Sequence, residues 1–310
     1  MSFEQLMQHA ADIGNKAFKE GLEELMALKS PSYLAQEQPK LLNRCYAEVP
    51  GLFQPFSQIP DPASYDPAIE TLKRALAKLS TGQDTRDPIS TNGGSYYANP
   101  VLDKISGSEA YIESWTGKAA MEFKTNFIDP FPSVARNQFI LISALKAALE
   151  AEQAMWAAAR KDIDQIAENT LKALDCMDDC TSKEWAVTFT AAAAITGILL
   201  TIPTLGGSAA LAISISTVGA AAWVAAALPP SPPELTISGD ETNAVLDSMH
   251  TAVNKASEVI SETEQRIAKA LNNVLDAVHG NRDYFVAPRP ALVGAVRQTI
   301  MNPEYMGYSD

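Results

Sequence analysis

The chain has 310 residues, 46% of them hydrophobic but only 7% aromatic, with 37 acidic against 24 basic side chains and a formal charge of −13. That length suits one large or two modest domains with an ample core, and an apolar fraction drawn largely from alanine favours close-packed helices over a bulky sheet core. The acidic balance argues against nucleic acid as a partner and against attraction to an anionic lipid surface, so any membrane affinity must come from apolar area.

Met1 to Ala10 lacks a basic stretch followed by an apolar one, so no cleaved secretory signal is expected and export would follow a leaderless route from the cytoplasm. Leu6, Ile13, Phe18, Leu22 and Leu25 predict a helix over residues 3–28, stopping near Ser30-Pro31. Prolines 39, 50, 55, 60 and 62 predict a wrapped, extended segment with short turns between Tyr33 and Tyr65. Ile69, Leu72, Leu76 and Leu79 predict a helix over 66–79, and the Gly, Ser, Thr, Asp and Asn content of 80–99 a loop. Residues 1–99 form the first expected division.

The second division, 100–180, opens with a helix over 101–127 interrupted at Trp115-Thr116-Gly117, followed by a kink at Pro130 and Pro132. From Val134 to about Met177 the positions Phe139, Ile142, Leu145, Leu149, Trp156, Ile163, Ile166 and Leu174 recur at threes, fours and sevens, a coiled-coil-like seam. Cys176 and Cys180 stand four apart on one face of its end, a candidate disulfide; no third or fourth ligand lies near enough for a metal pair.

The string Ser114-Trp115-Thr116-Gly117-Lys118-Ala119-Ala120-Met121-Glu122-Phe123 resembles the W-x-G signature of the WXG100 (ESX) superfamily of type VII secretion substrates, in which the tripeptide turns a helical hairpin and is followed by a small pair and an aromatic. Pro60 to Pro67 and Phe127 to Pro132 look like larger actinobacterial members, and the resemblance covers residues 60–180. It implies that Trp115 and Gly117 shape the turn and the export-competent fold, with secretion machinery or a paired helical chain as partner. The family's tag Y-x-x-x-D/E is matched only by Tyr33 to Glu37, upstream of Trp115, which leaves the tag to be supplied by a partner chain. The alternative is that Trp115 to Gly117 simply turns two helices of an intracellular bundle.

From Trp185 to Pro233 no Asp, Glu, Lys or Arg occurs. A bilayer crossing needs about 20 apolar residues, and the run splits at Pro203, Gly206 and Gly207 into Trp185–Ile202 and Leu205–Leu228. The third division, 181–237, is thus expected to be an apolar helical hairpin. Its membrane-facing candidates are Trp185, Phe189, Ile195, Ile198, Leu199, Leu211, Ile213 and Trp223, with tryptophans suited to the interface. Of basic residues only Lys183, next to Glu184, flanks the run closely, and the run's Gly, Ala, Ser and Thr content fits tight helix contact in lipid or in protein. The fourth division, 238–310, begins with a capping box at Ser238 and Glu241 and continues as a helix through Leu246, Met249, Val253, Ile260, Ile267, Leu271, Val274 and Val278 to Gly280.

The expected fold is therefore all-α: an elongated helical bundle whose two long antiparallel helices are joined by an apolar helical hairpin. That plan is similar, in topology alone, to α-helical pore-forming toxins of the cytolysin A type. His9, His250 and His279 are scattered without a nucleophile signature, and no phosphate-binding, dinucleotide or metalloprotease motif occurs, so no enzyme activity, cofactor or metal is expected. The expected function is a secreted or envelope-associated type VII substrate that contacts or inserts into membrane through the hairpin. The alternative is a helical scaffold or partner-binding protein, homo-oligomeric through the seams at 145–166 and 253–274, with the hairpin permanently buried.

Overall fold

A computed structural model of the chain describes residues 3–28, 30–80, 85–87, 95–106, 118–177, 184–195, 232–286 and 296–299. Trp115, Gly117, Cys180, Ile198, Leu199, Leu211, Ile213 and Trp223 lie outside them. The architecture is an all-α helical bundle with, among the described residues, two short two-stranded ribbons. The chain divides into two compact units. The first draws its described residues from Met1–Ser64, Glu152–Thr196 and Pro229–Gln265, the second from Tyr65–Ala151 and Arg266–Asp310.

In the first unit, helix α1 (Phe3–Ala27) buries Leu6, Ala10, Ile13 and Ala17, a stripe spaced by fours and threes. The segment expected to be extended is instead helical: α2 (Pro31–Asn43), a π-turn at Arg44–Glu48, α3 (Val49–Phe53) and 3-10 turns at Gln54–Gln58 and Pro62–Tyr65. The prolines explain how. Pro50, Pro55 and Pro62 each sit in the first turn of a short helix, where a missing N–H costs nothing, and only Pro39 lies inside one.

Two long helices follow, each contributing to both units: α7 (Phe131–Asp175) and α9 (Thr242–Gly280). Within the first unit α7 buries Met155, Ala159, Ile163, Ile166 and Leu174, while α9 buries Val245, Met249, Ala252, Ala256, Val259 and Thr263. They run antiparallel there: Glu152 of α7 feels the charge of Glu264 of α9, whereas Asn169 of α7 bonds to Ala186, whose strand pairs with the strand Glu234–Ile237 just before Thr242. His9 Nδ1 of α1 lies 3.2 Å from Asp164 of α7, and Lys16 is paired with Asp175.

The expected capping box at Ser238 and Glu241 is replaced by a tertiary cap. Glu24 of α1 accepts from both the backbone N–H (2.9 Å) and the hydroxyl (3.1 Å) of Thr242, so one carboxylate meets the free donors and sits favourably at the positive end of α9.

In the second unit, α4 (Asp66–Leu79) matches its expected bounds and buries Ile69 and Leu76. A minimal ribbon, β1 (Thr85–Arg86) with β2 (Ser95–Tyr96), lies within the expected loop. Helix α5 (Pro100–Ser106) and helix α6 (Lys118–Phe123) stand on either side of the Trp-Thr-Gly string, and a π-turn at Lys124–Ile128 leads to α7. Phe123 stacks on Phe127 with ring centroids 5.2 Å apart, and Phe127 meets Phe131 in a tilted contact at 6.0 Å. The seam of α7 departs here from the expected one: Phe139 is buried but Leu145 is 37% exposed, and the face turned inward is Ala144, Ala147, Ala148 and Ala151. Asn137 and Gln138 donate to the carbonyls of Tyr284 and Phe285, just after α9.

Candidate functional site at the root of the uncharged run

The uncharged run does not begin as a helix. Trp185–Thr188 is a strand, β3, paired antiparallel with β4 (Glu234–Ile237) in the register Trp185↔Ile237, Ala186↔Thr236, Val187↔Leu235 and Thr188↔Glu234. The local sequence explains the correction, since Trp, Val and Phe at 185, 187 and 189 alternate with smaller residues at the period of two that a half-buried strand requires. The ladder continues into Phe189, whose N–H donates to the carbonyl of Pro233 at 3.0 Å. The first and last uncharged residues beyond the strands are therefore hydrogen-bonded to each other.

Two side chains of α7 hold this ribbon. Asn169 donates from Nδ2 to the carbonyl of Ala186 (3.1 Å), covering part of the outer edge of β3. Asp162, 3% exposed, takes three hydrogen bonds: Thr190 N–H to Oδ2 (2.7 Å), Thr190 hydroxyl to Oδ1 (2.6 Å) and Ala191 N–H to Oδ2 (3.0 Å). It thereby serves as the N-terminal cap of the one-turn helix α8 (Ala191–Ala194) from another part of the chain. Burial pushes its carboxyl above the ordinary 3.8, and the Thr190 and Ala191 donors and the nearby Lys161 only partly offset this.

Of the expected membrane-facing residues, three are described. Phe189 and Ile195 are each 1% exposed, in the core of the first unit with Val187, Ala191 and Ala192. Trp185 is half-buried, with Lys172 Nζ 5.8 Å from its ring centroid, and its indole N–H finds no acceptor among the described residues. Cys176 is described but its candidate disulfide partner is not. Cys45 is fully buried and burial pushes its thiol up to about 11, which leaves it un-ionised and inert. Among the described residues no helix is long and apolar enough to cross a membrane.

Asp162 carried no sequence signal. In Arg160-Lys161-Asp162-Ile163-Asp164 it reads as one more charge on a solvated helix face, and its partners lie 28 residues away.

A second buried ionic cluster lies in the second unit. Lys146 Nζ is 3.1 Å from Asp87 Oδ2 and 2.8 Å from Glu150 Oε1, and the Ser143 hydroxyl donates to Asp87. Tyr96 is near: its phenol is pushed up to about 12 by burial, with the charges of Asp87, Glu150 and Glu70 adding to the effect. Ser143 and Lys146 have the spacing of a nucleophile and base, yet the ammonium lies between two carboxylates and both side chains are sealed from solvent. The arrangement fastens Asp87, the residue after β1, to α7; it does not activate a hydroxyl.

Glu152 gives a pH-dependent expectation. Its carboxyl is raised above 4.5 by burial first and by Glu264 second, so the folded state holds a proton more tightly than the unfolded chain does. Stability from this group is fully present below the unfolded value and falls as pH rises through the raised one. Glu152→Gln is therefore expected to raise the melting temperature at pH 7, with the gain closing by about pH 4; a lower melting temperature at pH 7 would mean that its hydrogen bond from Trp156 Nε1 (3.2 Å) outweighs the repulsion.

Comparison with family models, with curated proteins and with solved structures finds no match to this chain.

Proposed function

We propose that the chain is a non-enzymatic, secreted or envelope-associated type VII (ESX) secretion substrate that contacts membrane through its uncharged run. The observation that carries the membrane part is the closed root: just beyond β3 the two ends of the run meet in the hydrogen bond from Phe189 N–H to the Pro233 carbonyl, and both flanks are fastened to the first unit through β3, β4 and Asp162. Such an anchorage lets an uncharged stretch engage another phase while the helices that carry it stay folded. The secretion part rests on the resemblance at Trp115 to Gly117, with secretion machinery or a paired helical chain as partner.

The burial of Phe189, Ala191, Ala192 and Ile195 favours the second reading, a helical scaffold that keeps the run in its core. Liposomes separate the two. The full chain is expected to float with, and leak dye from, zwitterionic vesicles, since a charge of −13 opposes anionic ones. Ile198→Asp is expected to abolish both effects with the melting temperature unchanged, because an Asp near the centre of a spanning helix costs about 3 kcal/mol. A variant that unfolds in buffer, or a wild-type chain that binds no vesicle, would overturn the membrane reading in favour of the scaffold.

A further inference from the structure

We propose that the Asp162 carboxylate is the latch that holds the root of the uncharged run against α7, and that acidification tightens this latch instead of releasing it. The inference rests on the membrane reading only for its consequence, that the trigger for exposing the run is not acid.

The geometry carries the argument. Asp162 is buried, faces no cation at ion-pair distance among the described residues, and spends both oxygens on the first residues after β3. In the ionised form all three donors point at it. In the protonated form the new O–H on Oδ1 donates to the Thr190 hydroxyl oxygen, the hydroxyl exchanging its donor role for an acceptor role, while Oδ2 keeps both backbone N–H groups. No hydrogen bond is lost, and the cost of holding a charge in the core disappears. An acid-opened latch would need the opposite, a carboxylate stabilised by a cation that protonation strips away.

The charged groups of the neighbouring elements do not reverse this. Lys161, beside Asp162 on α7, favours the ionised form and is outweighed by burial. The segment Trp185–Ile195 carries no ionisable side chain. On α1, His9 and Lys16 face Asp164 and Asp175; on β4, Glu234 accepts from the Thr188 hydroxyl; on α9, Asp247 pairs with Arg44 of the π-turn. The carboxyl lies above its ordinary value, so the latch contributes most below the unfolded value of 3.8 and weakens as pH rises through the folded one.

Amide exchange of the full chain, without lipid and corrected for the intrinsic pH dependence of exchange, tests the latch at residues 189–195. Wild-type protection there is expected to rise as the pH is lowered from 7 towards the unfolded value of 3.8. Asp162→Asn, an uncharged isostere that keeps an acceptor for the two N–H groups and a donor for the hydroxyl, is expected to match the acid wild type at pH 7 and to lose the pH dependence. Asp162→Ala is expected to lower protection about tenfold or more at both ends of that range, and Thr190→Val, which keeps the N–H groups, to lower it less. Protection that falls on acidification, or Asp162→Asn as open as Asp162→Ala, would overturn the latch. Flotation of the same variants with zwitterionic vesicles is read separately: exchange as expected with no vesicle binding leaves the latch standing and removes the membrane reading alone.

Discussion

Lys146→Met is expected to destabilise the second unit by about 3–5 kcal/mol, the usual cost of removing one partner of a buried ion pair. Asp87 has no exposed side-chain surface, and Lys146 is 3% exposed, so water does not replace the lost ammonium. The Ser143 hydroxyl still donates to Asp87, yet a neutral donor cannot balance a full charge. The contrast with Lys40–Glu37 and Lys73–Glu70 is large: those pairs join neighbours on one helix in solvent and are worth less than about 1 kcal/mol. Because the penalty comes from holding the Asp87 charge in the core without the Lys146 ammonium, Asp87→Asn on top of Lys146→Met is expected to recover most of it. Urea unfolding, with amide exchange at β2 and Ser80 as the local readout, measures both variants. A single variant within 1 kcal/mol of wild type would mean that the cluster is hydrated.

The same cluster shows where the sequence stops being legible. Helices α1, α4 and α9 could be read because Leu6, Ile13, Ile69, Leu76, Met249 and Val253 are large, apolar and placed at helical spacing, and each is buried. In the first half of α7 the same logic selects Leu145, which is exposed, over the alanines at 144, 147, 148 and 151, which are not. A small face lets another element approach closely, and no hydropathy scale rewards that. The prolines of 39–62 misled for a related reason: Pro disfavours helix interiors but fits helix starts, and a string of short helices offers many starts.

At the candidate site the period-two alternation of Trp185, Val187 and Phe189 was present, but it lay inside a long uncharged stretch whose average hydropathy spoke for helix. Its partner strand, Glu234–Ile237, is 46 residues on at the closest pair, so pairing could not be inferred locally. Asp162 with Thr190, and Asp87 with Lys146, are likewise distant in sequence and close only through the fold. A buried charge announces itself by what surrounds it, and sequence does not list the surroundings. The absence of any Lys or Arg within the uncharged run does narrow the choice: a buried acceptor near its root must satisfy N–H and O–H donors, as Asp162 does.

Gly14→Ala is expected to cost about 2 kcal/mol net, and so to lower the melting temperature by several degrees. Two effects oppose each other. Alanine in a helix interior gains about 1 kcal/mol over glycine. A Cβ at this position, however, would lie 2.4 Å from the carbonyl oxygen of Cys45 and 3.3 Å from its carbon, and overpacking against an unyielding partner costs about 3 kcal/mol. The partner is backbone, held in the π-turn of Arg44–Glu48 by the bond from Val49 N–H to Arg44 O, so it cannot swing aside as a side-chain end could. The nearest atoms to an added Cβ at Gly21 are the methyls of Leu41 and the Thr242 methyl, all side-chain ends, and substitution there is expected to be milder. Gly51, within α3, has nothing within 4 Å of the added atom, so Gly51→Ala realises the propensity gain alone and is expected to stabilise by up to about 1 kcal/mol. The pair is decisive because the chemical change is identical and the expected signs are opposite. If thermal unfolding found both substitutions stabilising, α1 would not lie against the π-turn, and the stripe Leu6, Ala10, Ile13 and Ala17 would have to bury itself elsewhere.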